Sequence, residues 1–293
     1  MDKSSIRLRR IVISAVFLSI SLVLKTAFSF QIPLFGQNGM SIGISGIFSI
    51  LPSILFGPVY GAVTSGLSDL LGHFLKPMGP FIPLMTLIAA AGGWIRGFLW
   101  KILRKRDVRR MRIAVAVLSV LMLLSGICNM VFLSADGIDK SFYGRVRMDD
   151  IHMDRMHFVS RLLVERTMNM KDPSGNLATY LFFATTGLIG SAAFGILLLV
   201  LDLLISRKIR SDREGGQMMP LLLAMIGSGL AVTTLNTFVM REMVYTSWKV
   251  LPFVVLWIPR IIEEILANTV KTYFVAVLLG ALNQQGGMKE ILS

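Results

Sequence analysis

Apolar stretches of about 20 residues recur along this chain with short polar breaks between them, and each is long enough to cross the roughly 30 Å hydrocarbon core of a bilayer as a helix. They run over 11–30, 41–57, 59–75, 83–103, 113–135, 176–206, 218–240 and 251–282, which makes about eight crossings. Composition agrees: 54% of the residues are hydrophobic and only 16% are charged, with a mean hydropathy of +0.69. The expected fold is an all-α, polytopic membrane helical bundle. The second and third stretches are short and meet at Phe56-Gly57-Pro58-Val59-Tyr60-Gly61. There Pro58 ends one helix and the glycines permit a reversal. The alternative, a single kinked helix, would invert everything downstream.

Charge separates the two topologies, because short cytoplasmic loops are enriched in Lys and Arg. With the amino terminus inside, the basic blocks Lys3 to Arg10, Lys101 to Arg112 and Arg207 to Arg213 share one side, and both termini are cytoplasmic. The other side receives Gln31 to Met40, Lys76 to Ile82, Asp136 to Asn176 and Arg241 to Val250. Seven crossings would instead put Arg104 to Arg112 opposite the amino-terminal block. In the 136–176 segment Arg145, Arg147, Arg155 and Arg161 are matched by Asp149, Asp150, Asp154 and Glu165, which suits an outside loop. Ile151, Phe158 and Leu162 recur near helical spacing, so part of this loop is expected as an amphipathic helix at the outer interface.

Several function classes are excluded or unsupported. The formal charge of +13 sits in blocks that set orientation, so nucleic acid is not an expected partner. The lone Cys128 supports no disulfide framework, and His73, His152 and His157 have no chelating spacing, so no metal or cofactor is expected. Arg7, Arg9 and Arg10 precede an apolar run with no clear cleavage site, and the first segment is expected to stay as a helix.

Residues 32–97 carry a resemblance. Ile32-Pro33-Leu34-Phe35, Phe56-Gly57-Pro58-Val59-Tyr60-Gly61-Ala62, Ser68-Asp69-Leu70-Leu71-Gly72, Pro77-Met78-Gly79-Pro80-Phe81 and Thr86-Leu87 before a small-residue helix resemble the substrate-binding S component of ECF-type vitamin transporters, nearest the folate group. Thr234-Leu235-Asn236-Thr237, Leu251-Pro252 and Ile258-Pro259-Arg260-Ile261 resemble that family's last two helices. The resemblance implies a six-helix core with a helix pair inserted into it. Residues 1–104 would hold the first four core helices, 105–215 the inserted pair with its outer loop 136–176, and 216–293 the last two. It also implies a binding subunit, not an enzyme, that works with a transmembrane coupling subunit and two ATPase subunits in the cell membrane. No Gly-x-x-x-x-Gly-Lys phosphate loop occurs in this chain, so hydrolysis would come from the partners.

By the same resemblance the pocket opens outward and is built from Gln31 to Ser45, Lys76 to Pro83 and Arg241 to Val250. Phe35, Gln37, Asn38, Asp69, His73, Phe81, Asn236, Trp257 and Arg260 are the candidate ligand contacts. Each has a plainer reading. Gly36, Gly39 and Gly43 either fold the first loop over a ligand or serve an ordinary re-entry loop. Asp69 and His73, four apart on one helical face, either meet ligand or bond each other. Asn236 either reads a heterocycle edge or joins helices. Arg260 either pairs with Glu263 and Glu264 or receives an anion in its planar fork. Phe35, Phe81, Trp248 and Trp257 either stack on a flat ring or anchor at the interface. Lys25, His73, Lys76 and Arg241 add positive charge near the mouth, which favours a carboxylate-bearing ligand such as folate. Ala15 and Ser19, small residues four apart, match the pattern by which the family's first helix contacts the coupling subunit. The competing functions are a stand-alone secondary transporter, for which related halves and midplane ion ligands are lacking, and a membrane enzyme, for which no nucleophile or cofactor motif accompanies Asp69, Glu263 and Glu264.

Overall fold

The structure, a computed structural model, describes residues 3–34, 37–43, 45–77, 80–138, 153–165, 173–208 and 218–284. It is a polytopic helical bundle. Helix α1 (Lys3–Ala27) leads into an antiparallel pair, β1 (Ser29–Leu34) and β2 (Gln37–Gly43), followed by α2 (Ser45–Leu55), α3 (Pro58–Leu75), α4 (Pro83–Leu103) and α5 (Val108–Ala135). The short α6 (Phe158–Glu165) precedes α7 (Pro173–Phe182), which runs through a π turn at Phe183–Gly187 into α8 (Leu188–Lys208). Helix α9 (Met218–Val239) ends in a second π turn, Met240–Val244, and a 3-10 turn, Thr246–Val250, delivers the chain to α10 (Phe253–Gln284). Five spans, Ser4–Ala27, Val108–Ala135, Leu177–Leu204, Met218–Val244 and Phe253–Leu282, are long and apolar enough to cross a membrane.

Two elements depart from the expected layout. The crossing expected over 41–57 is helical only over Ser45–Leu55, about 17 Å at 1.5 Å per residue and too short to span alone. Its first residues belong instead to a hairpin, in register from Ser29 opposite Gly43 to Leu34 opposite Gln37, with an irregularity between Ile32 and Pro33. Proline donates no ladder hydrogen bond, so a break in the pairing is where a strand tolerates it. The hairpin touches α1 through β1 and α10 through β2. The reversal at Gly57 is as expected: its φ of 98° is open to glycine, and Pro58 begins α3.

The first four helices pack through small residues. A side chain on Gly93 of α4 would run into the backbone of Gly61 on α3, and one on Gly97 would meet Gly57 and Pro58 at 2.7–2.9 Å. These glycines let α3 and α4 approach backbone to backbone. Beyond them, Ile47, Ile50, Leu51 and Ile54 of α2 form a buried cluster with Trp100, Leu221, Met225 and Val275.

The pair α5 and α7–α8 packs on itself. Gly126 of α5 lies against Thr185 and Ile189, and Arg112 Nε donates to Asp202 Oδ2 at 2.7 Å, the carboxylate being fully buried. It also joins the rest of the bundle along its length. Near the end shared with the α4–α5 turn, Met111, Val115 and Leu198 pack with Met218, Met219 and Leu222 of α9. At the opposite end, Leu133, Leu163, Val164, Leu177 and Tyr180 share a core with Met240, Trp248, Leu251 and Val255.

A helix expected in the 136–176 segment is present as α6, and its sides differ in burial. Phe158 and Leu162 are exposed, whereas Leu163 and Val164 are buried. Ile151 lies outside the described residues. Helix α6 thus has an inward face as well as an outward one.

Candidate functional site

Helices α9 and α10 run antiparallel, and three contacts set their register. Glu264 and Asn268 of α10 fill the space above Gly229. Nearer the α9–α10 turn, Trp257 Nε1 donates to Thr234 Oγ1 at 2.9 Å. Where α9 passes into the π turn, Arg260 Nη1 donates to the thioether of Met240 at 2.9 Å. Arg260 is preceded by Pro259 inside the helix, a position that withholds one backbone hydrogen bond and loosens the turn.

Arg260 is 9% exposed, and its Nε has no hydrogen-bond partner among the described residues. The internal ion pair that Glu263 and Glu264 offer by spacing does not form: neither carboxylate appears among the ion pairs of the described residues, and Glu264 Oε1 instead accepts from Asn268 Nδ2 at 2.8 Å. A sulfur atom is a weak acceptor and carries no charge. The guanidinium is therefore buried with no carboxylate at hydrogen-bond range among the described residues, although the charges of Glu263 and Glu264 act on it from farther off. Asn236, two residues beyond Thr234, adds a buried Oδ1 that also lacks a partner among the described residues.

Sequence reasoning missed Arg96. It sits in the middle of α4, its Nε is buried without a partner among the described residues, and the charge it feels is that of Glu264. The signal was available, since an arginine interrupting an apolar run is costly unless it faces a partner or a cavity.

A second group of candidates lies on α3 and α4. Asp69 does not bond His73; its Oδ2 accepts from Thr86 Oγ1 at 2.7 Å across the α3–α4 seam. Lys25 of α1 acts electrostatically on Asp69 and lies against Gly72. His73 joins an aromatic group instead, 5.3 Å from Phe81 and 5.9 Å from Phe74 between ring centroids. No hydrogen bond, ion pair or ring contact links Asp69, His73 and Phe81 to Asn236, Trp257 and Arg260 among the described residues.

The remaining candidates divide. Phe35 lies outside the described residues, while Gln37 and Asn38 begin β2, opposite Leu34 and Pro33. Arg241 is spent on its own loop: Nη1 is 2.7 Å from Glu242 Oε1, and the other guanidinium nitrogens donate to the carbonyls of Lys249 and Leu251 at 3.2 Å. Trp248, considered for stacking on a ring, is 1% exposed and belongs to the core. It is covered by residues of the 105–215 segment, a contact that local sequence does not reveal. On α1, Ala15 and Ser19 are exposed and Ser14 and Ser21 are buried; Ser19 Oγ donates to the Ala15 carbonyl at 2.9 Å, and Ser21 Oγ to that of Ser45 at 2.9 Å.

The folate transporter FolT of Clostridium novyi (strain NT) is 30% identical over 112 residues, 38% of this chain, and the match spans 61% of that protein's length. No solved structure matches. The family model for the ECF-type riboflavin transporter, S component, matches residues 5–164, more than half of the chain, and the chain therefore belongs to that family of membrane transport proteins.

Proposed function

We propose that this chain is the ligand-capturing subunit of a vitamin uptake system in the cell membrane, that its ligand is folate or a close relative, and that separate coupling and ATPase subunits drive release to the cytosol. The observation that carries the reading is Arg260: a guanidinium 9% exposed, held by a thioether and by no carboxylate among the described residues. A folate carries carboxylates, which a planar guanidinium fork binds in bidentate fashion. Asn236 and Trp257 offer an amide and an indole for its heterocycle, and Arg96 a second cation deeper in the bundle. The hairpin backbone forms the lid, and His73 and Phe81 the opposite wall. Asp69 is left to pin α3 to α4.

The orientation rests on charge. Lys3 to Arg10, Lys101 to Arg112 and Arg207 to Arg213 face the cytosol, which turns the hairpin and the α9–α10 turn outward. Residues 1–104 and 216–293 form the six-helix core, and 105–215 are an insertion of two crossings that leaves α9 and α10 running in the same direction as without it. The exposed pair Ala15 and Ser19 is the proposed seat of the coupling subunit; Ala15→Trp should block assembly and spare ligand binding, and unaltered assembly would remove that assignment.

The purified chain should bind folate, and Arg260→Ala should weaken binding about 100-fold, the loss of roughly 2–3 kcal/mol of charge-assisted hydrogen bonding. Equal affinity of the variant would refute the assignment of Arg260. The family description supports riboflavin as a second reading. Riboflavin has no carboxylate, so a ligand of that kind would bind with little dependence on Arg260. Uptake into vesicles by the chain alone would favour a stand-alone secondary transporter instead.

A further inference from the structure

The end of α5, helix α6 and helix α7 are built into the wall that holds Arg260. Leu163 and Val164 of α6 are 8% and 0% exposed, and Leu177, Tyr180 and Leu181 of α7 are no more than 3% exposed. They share one buried cluster with Met240, Trp248, Leu251 and Val255. Met240, Trp248 and Leu251 belong to the turn between α9 and α10 and Val255 to the first turn of α10; the turn's backbone is closed by hydrogen bonds from Tyr245 to Met240, Trp248 to Tyr245 and Leu251 to Trp248 at 2.9–3.0 Å. Met240 in turn accepts from Arg260.

Helix α6 is itself tied to the end of α5. The His157 backbone N–H donates to Asp136 Oδ2 at 3.1 Å, its Nδ1 lies 2.8 Å from Oδ1, and its ring sits 5.4 Å from that of Phe132. The contact makes a rigid corner, so α6 is presented to the turn from a fixed support.

We infer that this segment is a brace: Leu163 and Val164 are positioning residues that hold the Met240–Leu251 turn in place and, through Met240, set the Arg260 guanidinium for its ligand. The inference rests on the reading of Arg260 given above, and its test separates the two. Hydrogen exchange on the full-length, ligand-free chain in detergent reads the turn directly. In the Leu163→Ala, Val164→Ala double variant, the amides of Tyr245, Trp248 and Leu251 should exchange at least about tenfold faster while those of α2 and the inner half of α9 keep their rates. Folate affinity should fall about tenfold, and Leu163→Met, which restores volume, should recover most of both effects. Asp136→Ala, which leaves the buried cluster untouched, should move the same three amides in the same direction by a smaller factor, and it serves if the double variant does not fold.

Unchanged protection of the three amides in a folded variant would overturn the brace, as would a uniform acceleration across α9 and α10. A loosened turn with unaltered folate affinity would overturn the step through Met240. A loosened turn in a parental chain that binds no folate would uphold the brace and sink the ligand assignment alone.

Discussion

The seam between α3 and α4 and the seam between α9 and α10 each hold an ionisable side chain inside the bundle, and they treat it differently. Asp69 is answered by Thr86 across the seam and by the charge of Lys25. Arg260 meets only a thioether at hydrogen-bond range among the described residues, with the charges of Glu263 and Glu264 acting on it from farther off. The backbones differ in the same sense: Gly61 and Gly93 bring α3 and α4 together main chain to main chain, whereas Gly229 is faced by the tips of Glu264 and Asn268. One seam is closed and its polar groups are consumed in closing it. The other is lined by adjustable side chains with hydrogen-bonding capacity in reserve, which is what a binding site requires.

The sharpest way to break this contrast is Gly93→Val. Its side chain would overlap backbone that cannot move aside, so the variant should fail to yield monodisperse protein by size-exclusion chromatography. Recovery of stable protein would show that the first seam is not closed. Next in size, Arg260→Ala should lose about 100-fold in folate affinity while its melting temperature changes little, since removing a buried charge that makes no ion pair at hydrogen-bond range relieves a desolvation cost that offsets the lost contacts. Asp69→Ala should do the reverse. Thermal unfolding should show it less stable by roughly 1–2 kcal/mol, the value of the Thr86 hydrogen bond, with affinity within about threefold of the parent. If both variants change binding equally, the two seams form one site. Gly229→Ala should cost only about 1 kcal/mol, because the ends of Glu264 and Asn268 can swing away.

The smallest effect concerns pH at the α5–α6 corner. Burial raises the Asp136 carboxyl, but the hydrogen bonds it accepts, including those from His157, outweigh this and set it below its ordinary value of 3.8. A carboxyl lowered on folding stabilises the corner fully above that ordinary value, and the contribution is lost as pH falls through the folded value. Exchange protection at the corner should therefore be flat from neutral pH down to about 4 and decline only below it, with Asp136→Ala abolishing the decline.

Much of this architecture is legible in the chain because a bilayer enforces long apolar helices. The reversal at Gly57-Pro58, the helix pair α5 and α7–α8 and the position of Trp257 and Arg260 on the last helix all follow from apolar runs and their breaks. The features that stay hidden depend on distant neighbours. The strand alternation at Ser29–Leu34 is short and interrupted by Pro33, so by sequence the hairpin reads as a loop. Trp248 has the local surroundings of an interfacial anchor, and only the placement of α6 and α7 over it makes it core. Helical spacing marks Phe158 and Leu162 as an apolar stripe of α6, but not that Leu163 and Val164 beside them are buried against the bundle. Spacing leaves Arg260 between two partners because it shows which carboxylates are near and not where they are already engaged.

The π turn at Phe183–Gly187 governs how α5 meets its neighbour. Widening one turn detaches a carbonyl from the helical ladder, and Asn129 of α5 donates its side-chain amide to Ala184 at 2.8 Å. That bond works as a keyway between the two helices. Slippage of either by a single residue would strand an amide and a carbonyl in hydrocarbon, so the pair can dock in one setting and pass it on to everything mounted above.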